Sequence, residues 1–145
     1  MSIAQTTTTS FRVELFEAVH DFTTDTFKIA LYTGAASIGP DTTVYTTSGE
    51  AAGTGYTAGG NSLVVSTQPT YGNNTYGVPT AFVSFANTSW ANASFTARGA
   101  LIYNASKGDK SVAVLDFGAD KTATDTTFTV QFPSADANSA IVRIS

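Results

Sequence analysis

The chain has 145 residues, of which only 12% are charged, and its formal net charge of −4 argues against nucleic acid as a partner, because phosphate binding requires clustered cations. Its length fits one domain, and the absence of cysteine excludes disulfides, thiolate chemistry and cysteine-based zinc sites. Phe, Tyr, Thr and Val are abundant while Leu, Glu, Lys and Met are scarce, which favours strands over helices.

Residues 1–10 predict an extended and poorly anchored N-terminal arm, because they show no apolar periodicity. The arm includes the run Thr6, Thr7, Thr8 and Thr9. A short helix is predicted next, with Ser10 as its N-cap. Its apolar residues recur at helical spacing, at Phe11, Leu15, Ala18, Val19 and Phe22. We interpret this stripe as packing on the domain, and docking to a partner is the alternative.

From residue 27 onward the apolar period changes to two, which is typical of strands. Strands are predicted at 27–33, 42–46, 63–65, 81–85, 94–103, 112–117, 127–132 and 140–144. Gly99 predicts a bulge or a break inside one of them, and residues 105–110 predict a hairpin turn. About eight short strands with turn signals between them predict an antiparallel β-sandwich or jelly roll, which with the helix occupies 11–145 as one domain.

Two long loops separate the predicted strands. Segment 49–61 contains five glycines, including Gly53, Gly55 and Gly59, and it predicts a mobile or partner-contacting loop around Tyr56. Its glycine spacing does not match a phosphate-binding motif. The second predicted loop, 71–79, carries Tyr71 and Tyr76. With Trp90 they suggest an aromatic platform for sugar, but packing in the core or at an interface is the favoured interpretation.

Few residues offer catalytic chemistry. His20 is the only histidine, and no Gly-Xaa-Ser-Xaa-Gly motif occurs, so we predict no enzyme, no metal site and no cofactor. Asp116, Asp120 and Asp125 suggest a calcium site or an acid pair. Because calcium-loop spacing is absent, we interpret them as turn residues that bind backbone. A small hydrolase that uses His20 or these carboxylates is the least favoured alternative.

Five segments together resemble a group of small structural proteins of bacteriophage virions. They are DTFKIALYT (25–33), GEAAGTGYTAGGNSL (49–63), ARGALIYNASK (97–107), VAVLDFGADKT (112–122) and FTVQFPSADANSAIVRI (128–144). The resemblance runs from about residue 11 to the end of the chain. Within that group, the size, the β-rich sequence and the anionic charge match capsid cement or decoration proteins best.

The resemblance implies a non-enzymatic protein that binds the major capsid protein on the outer capsid surface and bridges neighbouring capsomers. It also implies a homotrimer, whose repeated weak contacts give avidity. No membrane span or secretion signal is visible, so we expect synthesis in the host cytoplasm before incorporation into the virion. The predicted partner contacts are Thr6, Thr7, Thr8, Thr9, Gly53, Gly55, Tyr56, Gly59, Tyr71 and Tyr76. The alternatives are a tail-fibre or spike module that recognises a host surface glycan, or another tail or head–tail structural protein.

Overall fold

Eight strands form two antiparallel sheets in a computed structural model that describes residues 2–145. The strands are β1 (Thr6–Thr7), β2 (Phe27–Tyr32), β3 (Asn61–Ser62), β4 (Val65–Asn73), β5 (Pro79–Phe85), β6 (Thr88–Asn104), β7 (Lys110–Val130) and β8 (Val142–Ile144). One α-helix, α1 (Thr9–Phe16), and one 3₁₀ helix (Ala105–Lys107) complete the secondary structure of this part of the chain. The predicted all-β sandwich with a short N-terminal helix is confirmed.

The larger sheet has the strand order β1-β7-β6-β2-β3, and the smaller sheet has the order β4-β5-β8. The hairpin of β6 and β7 dominates the fold, because these strands contain 17 and 21 residues. Residues 117–120 of β7 bulge opposite Arg98, between the pairs Ala97↔Lys121 and Gly99↔Asp116. The separate strands predicted at 112–117 and 127–132 are therefore parts of one strand that the bulge bends.

Further element predictions differ from the structure. The strand predicted at 63–65 does not form as such, because β3 ends at Ser62 and β4 begins at Val65. The segment 42–46 forms only an isolated bridge, between Val44 and Lys110, and is otherwise a loop. The predicted loop 71–79 is shorter in the structure, because β4 continues to Asn73 and β5 begins at Pro79, which leaves a turn at 74–78. A register shift lies beside Gly99, but the extra residues are on β7, so the strand predicted at 94–103 neither bulges nor breaks there. The predicted turn after β6 is confirmed.

The larger sheet is buried on both faces around β2, whereas the distal parts of β6 and β7 expose their outer face. Its inner face packs against the smaller sheet and α1, with Ile29, Ile102 and Phe85 among the core residues. Its outer face carries a second apolar cluster, of Ala30, Tyr32, Ala36, Ile38, Leu101, Tyr103 and Val114. Ile3 and Tyr45 pack on this second cluster. Strand β2 is consequently buried along nearly its whole length, which the alternating pattern did not predict.

The N-terminal residues that the structure describes are packed on the domain, which corrects the prediction of a free arm. Thr6 and Thr7 pair with Val114 and Ala113 of β7, and Ile3 bridges Ile38. Thr8 is fully buried, and its Oγ1 lies 2.9 Å from Ser111 Oγ. Apolar contacts and strand pairing thus stabilise a segment that composition alone describes as unanchored. Met1 lies outside the described residues.

Helix α1 is shorter than its apolar stripe predicted, and Thr8 rather than Ser10 caps it. The Thr8 side chain accepts a hydrogen bond from the Phe11 N–H, as N-cap threonines do. The helix ends at Phe16, and Ala18 has a φ of 57° that directs the chain back towards the sheet. Phe22 reaches the core from this return segment and stacks on Phe27 at 4.4 Å between ring centroids. Tertiary packing, not helical periodicity, accounts for its burial.

Candidate partner-binding surface

His20 is held in a buried hydrogen-bond network that leaves its ring no free nitrogen. Its Nε2 lies 2.9 Å from Glu14 Oε1, and its Nδ1 lies 3.0 Å from the Asn104 amide nitrogen. The Asn104 amide nitrogen also donates to Asp25 Oδ2, while the side-chain oxygen Oδ1 of Asn104 accepts from Ser106 N. The Ser106 contact fixes the amide orientation, so Asn104 donates to Nδ1 and the ring donates through Nε2. This network joins α1 to the end of β6.

Catalysis would require a nucleophile within reach of His20 and a cleft that admits a substrate. Instead, His20 packs between Phe11 and Phe27, with ring centroids at 5.0 and 6.4 Å. Lys110 pairs with the other Glu14 oxygen, and Lys107 pairs with Asp25, each at 3.6 Å. The charges of the network are thus matched within the chain, as in a structural element.

Asp116 and Asp125 form hydrogen bonds within the β6–β7 hairpin. Asp116 Oδ1 accepts from Gly118 N at 2.8 Å. The Asp125 N–H donates to Ser94 Oγ at 3.0 Å, and the Ser94 hydroxyl donates to Asp125 Oδ1 at 3.3 Å. Across residues 2–145, His, Asp and Glu side chains do not gather in a group of three that could hold a metal ion. Neither helix in the same range has the length and apolar character needed to cross a membrane.

The glycine-rich segment 49–61 is organised around the carboxylate of Glu50. Its Oε1 accepts from the Tyr56 hydroxyl at 2.6 Å and from Gly59 N at 2.7 Å. Its Oε2 accepts from the Tyr45 hydroxyl at 2.7 Å. Tyr103 donates to the Gly59 carbonyl oxygen at 2.7 Å. The segment is therefore fastened to the sheet rather than free to move.

Burial and the neighbouring carboxylate change the acidity of these phenols. Burial raises the pKa of Tyr103 to about 12. For Tyr45 and Tyr56, burial first and the hydrogen bond to Glu50 second raise the pKa well above the usual value for tyrosine. Burial also raises the pKa of Tyr32. All four phenols stay protonated and can donate across the neutral pH range.

Several predicted contact residues serve the fold instead. Gly59 is buried, and Tyr56 is half-buried against Phe95, at 5.4 Å between ring centroids. Thr8 is buried as the cap of α1. The structure thus corrects the expectation that Thr8 and Gly59 lie on a contact surface. The predicted contacts that remain exposed or half-exposed are Thr6, Thr7, Thr9, Gly53, Gly55, Tyr56, Tyr71 and Tyr76.

The β4–β5 hairpin ends in a turn that side-chain amides hold in place. Asn74 Oδ1 accepts from Tyr76 N at 2.9 Å and from Val78 N at 3.0 Å. Asn138 Oδ1 accepts from the backbone N–H and the hydroxyl of Thr75, both at 2.8 Å. The turn is therefore ordered before any partner binds.

The hairpin exposes large apolar side chains to solvent. Tyr71 is 81% exposed and Tyr76 is 91% exposed, whereas Trp90, the third member of the predicted aromatic platform, is 4% exposed and lies in the core. Val78 adds a partly exposed aliphatic group at the end of the turn. We define Tyr71, Tyr76 and Val78 as the hairpin surface.

Sequence reasoning found the two tyrosines of the hairpin surface but missed the residues that order it. The segment Asn74–Gly77 carries a turn signal that could have identified Asn74. Asn138 had no comparable signal, because its partner Thr75 is 63 residues away in sequence. The partners of Glu50 lie within nine residues of it, but their spacing matches no turn motif. An isolated carboxylate in an uncharged, glycine-rich segment was the only indication for Glu50.

No protein-family model, curated protein or solved structure matches the chain.

Proposed function

We propose that this protein is a non-enzymatic cement or decoration protein of a bacteriophage virion, which binds the major capsid protein on the outer capsid surface. The exposure of Tyr71 and Tyr76 on the β4–β5 hairpin, whose turn is pre-ordered, is the observation that supports binding of a protein partner. Tyrosine is enriched at the energetic centres of protein interfaces, because it buries a large ring at low entropic cost. The capsid as partner follows from the sequence resemblance.

The proposed mechanism is mechanical. A homotrimer would present three hairpin surfaces, and each contact would bridge neighbouring capsomers by modest apolar burial. Few charges need to be desolvated, since only 12% of the residues are charged. The net charge of −4 suits an outward position better than one facing packaged DNA. Sedimentation of the purified protein tests the trimer, and a monomer at micromolar concentration would contradict it.

Binding to capsids that lack this protein tests the role of the hairpin surface. We expect the double variant Tyr71→Ser/Tyr76→Ser to bind at least about tenfold more weakly, because loss of an interface aromatic commonly costs more than about 1 kcal/mol. Val64→Ser is the matched control, since Val64 is also exposed, at 67%, but lies outside the hairpin surface. Equal binding by both variants would remove the hairpin from the mechanism.

Immunogold electron microscopy of virions tests the location. Label over the whole head would support the cement role. Label confined to the tail would contradict it and favour host recognition or tail assembly. Absence of label on both intact and opened particles would contradict the virion assignment itself.

Host recognition through a surface glycan is the second candidate, and the same exposed tyrosines favour it. A flat aromatic ring can stack on a sugar, and Tyr76 is the most exposed tyrosine on the hairpin surface. A glycan array probed with the wild-type protein and with Tyr76→Ser separates the candidates. Glycan binding that disappears in the variant would support recognition, and absence of glycan binding would leave the capsid role favoured.

A further inference from the structure

An apolar groove runs between α1 and β8. Two contiguous cavities, of about 160 and about 520 Å³, form it and share their lining at Phe11, Leu15, Val142 and Ile144. The smaller cavity is also lined by Phe82 of β5. The combined volume falls in the range of cavities that accept a ligand or several side chains.

The rim of the groove exposes apolar side chains to water. Phe16 is 95% exposed, and Ile144 is 55% exposed. Exposed apolar residues that occur singly need no explanation, but a group beside an apolar cavity is typical of an interaction site.

Strand β8 borders the groove and has one edge without a strand partner. It is the last strand of the order β4-β5-β8 and pairs with β5 through Ala81↔Ile144, Phe82↔Arg143 and Val83↔Val142. An open strand edge presents backbone donors and acceptors to any extended segment that approaches. Addition of a strand to such an edge is a common mode of peptide recognition.

The charge of the groove is positive although the whole chain is negative. Arg12 and Arg143 line the larger cavity, and its lining contains no acidic residue. Arg12 donates to Thr9 Oγ1 at 3.4 Å, and Arg143 donates to the Asn138 carbonyl oxygen. Neither guanidinium forms an ion pair within the described part of the chain. Each retains donors for a carboxylate of a partner.

We propose that the groove binds an extended segment of another protein in which apolar and acidic residues alternate. The apolar side chains enter the cavity beside Phe11 and Leu15, and the backbone pairs with the open edge of β8. The carboxylates contact Arg12 and Arg143. This inference goes beyond the proposed function, because it concerns a different surface and holds whether or not the protein lies on a capsid.

Titration of the isotope-labelled full chain with two synthetic hexapeptides, followed by NMR, tests the proposal. One peptide is acetyl-Val-Glu-Phe-Glu-Val-Glu-amide, and the other carries Lys at each Glu position. We expect the acidic peptide to shift resonances of residues 11–16 and 142–145, and to bind about tenfold more tightly than the basic peptide. Non-specific attraction to a protein of net charge −4 would give the opposite preference.

Charge reversal in the groove supplies the decisive comparison. We expect Arg12→Glu/Arg143→Glu to prefer the basic peptide, and the control Arg98→Glu/Lys121→Glu to keep the wild-type preference, because neither control residue lines the groove. Both variants change the net charge from −4 to −8, because each replaces two cations by two anions. An inversion confined to the groove variant, with shifts at residues 11–16 and 142–145 in the spectrum of a folded protein, therefore cannot come from misfolding or from bulk charge. Equal binding of both peptides, shifts confined to other residues, or an unchanged preference after reversal would overturn the proposal. Concentration-dependent shifts at the groove without peptide would also overturn it, because a second copy would then be the occupant.

Discussion

Glu50 is the residue on which the conformation of segment 49–61 depends. Its two oxygens accept three hydrogen bonds, from Tyr45, Tyr56 and Gly59. Glu50→Gln keeps the shape of the side chain but replaces one acceptor oxygen with an NH2 donor. That donor then faces a tyrosine hydroxyl or the Gly59 N–H, which are donors themselves. We expect the free energy of unfolding to fall by about 1–3 kcal/mol, the usual range for a buried polar group left without its partner. Urea denaturation of the variant measures this change.

Glu17→Gln is the matched control, because Glu17 is exposed at the end of α1 and its substitution removes the same charge. We expect that variant to remain within about 0.5 kcal/mol of wild type. A similar loss in both variants would show that total charge, and not the phenol contacts, determines the effect.

The tyrosines around Glu50 predict alkaline instability. An unfolded tyrosine has a pKa of about 10, whereas burial raises the pKa of Tyr103 to about 12 in the fold. The folded chain thus holds a proton that the unfolded chain has lost, so stability falls as pH rises from about 10 through 12. Tyr45 and Tyr56, whose pKa values burial and Glu50 also raise, add to the fall.

Urea midpoints at pH 8, 10 and 11 measure this dependence. Tyr103→Phe should be less stable than wild type at pH 8, because the hydrogen bond to Gly59 is lost, yet its midpoint should fall less steeply above pH 10. Parallel pH profiles for the two proteins would show that Tyr103 does not contribute to the titration.

At the scale of elements, the glycines of segment 49–61 determine how closely it approaches β2. Gly60 has a φ of +73°, and a Cβ at this position would overlap the carbonyl oxygen of Ile29. We expect Gly60→Ala to destabilise the fold by about 3 kcal/mol, because left-handed strain and a backbone clash combine. Gly77→Ala is the control, since Gly77 has a similar φ of +77° but open space around it.

We expect the control to cost about 1–2 kcal/mol, from backbone strain alone. Thermal unfolding of the two variants separates strain from overlap. Equal losses would mean that segment 49–61 relaxes away from β2 without penalty.

The sequence predicted elements well where local chemistry decides them. The turn after β6 follows Asn104, whose side chain accepts from Ser106 N, and a left-handed Gly108 ends the 3₁₀ helix. Alternation predicted β2 for the same local reason. Prediction failed where distant contacts decide the structure. Pairing with β6 keeps β7 a single strand across the bulge at 117–120, where two separate strands were predicted. Pairing with β7 orders β1, which has no apolar signal of its own.

At the scale of the whole molecule, the same distinction separates the two candidate surfaces. The hairpin surface was predictable, because Tyr71 and Tyr76 lie in a polar, turn-rich stretch where aromatic residues have no local partner. The groove was not predictable, because its walls come from α1 near the N-terminus and β8 near the C-terminus. Only the tertiary fold brings Arg12 and Arg143 to one cavity.

Removal of residues 1–7 tests whether the N-terminal segment serves folding or partner binding. The deletion removes β1 and the contact of Ile3 with the outer cluster, while Thr8 remains to cap α1. We expect a loss of about 2 kcal/mol, similar to the removal of a partly buried aliphatic side chain, which lowers Tm by about 4–8 °C in a domain of this size. Differential scanning calorimetry measures the shift.

The hairpin variant Tyr71→Ser/Tyr76→Ser should behave in the opposite way, because both rings are exposed and contribute little to the core. Its Tm should stay within about 2 °C of wild type, since surface substitutions change stability by about 0.5 kcal/mol or less, while its binding to capsids falls. The truncated protein should bind capsids normally at temperatures where it remains folded. Loss of capsid binding by truncated but fully folded protein would instead make residues 1–7 a contact segment, in addition to their place in the sheet.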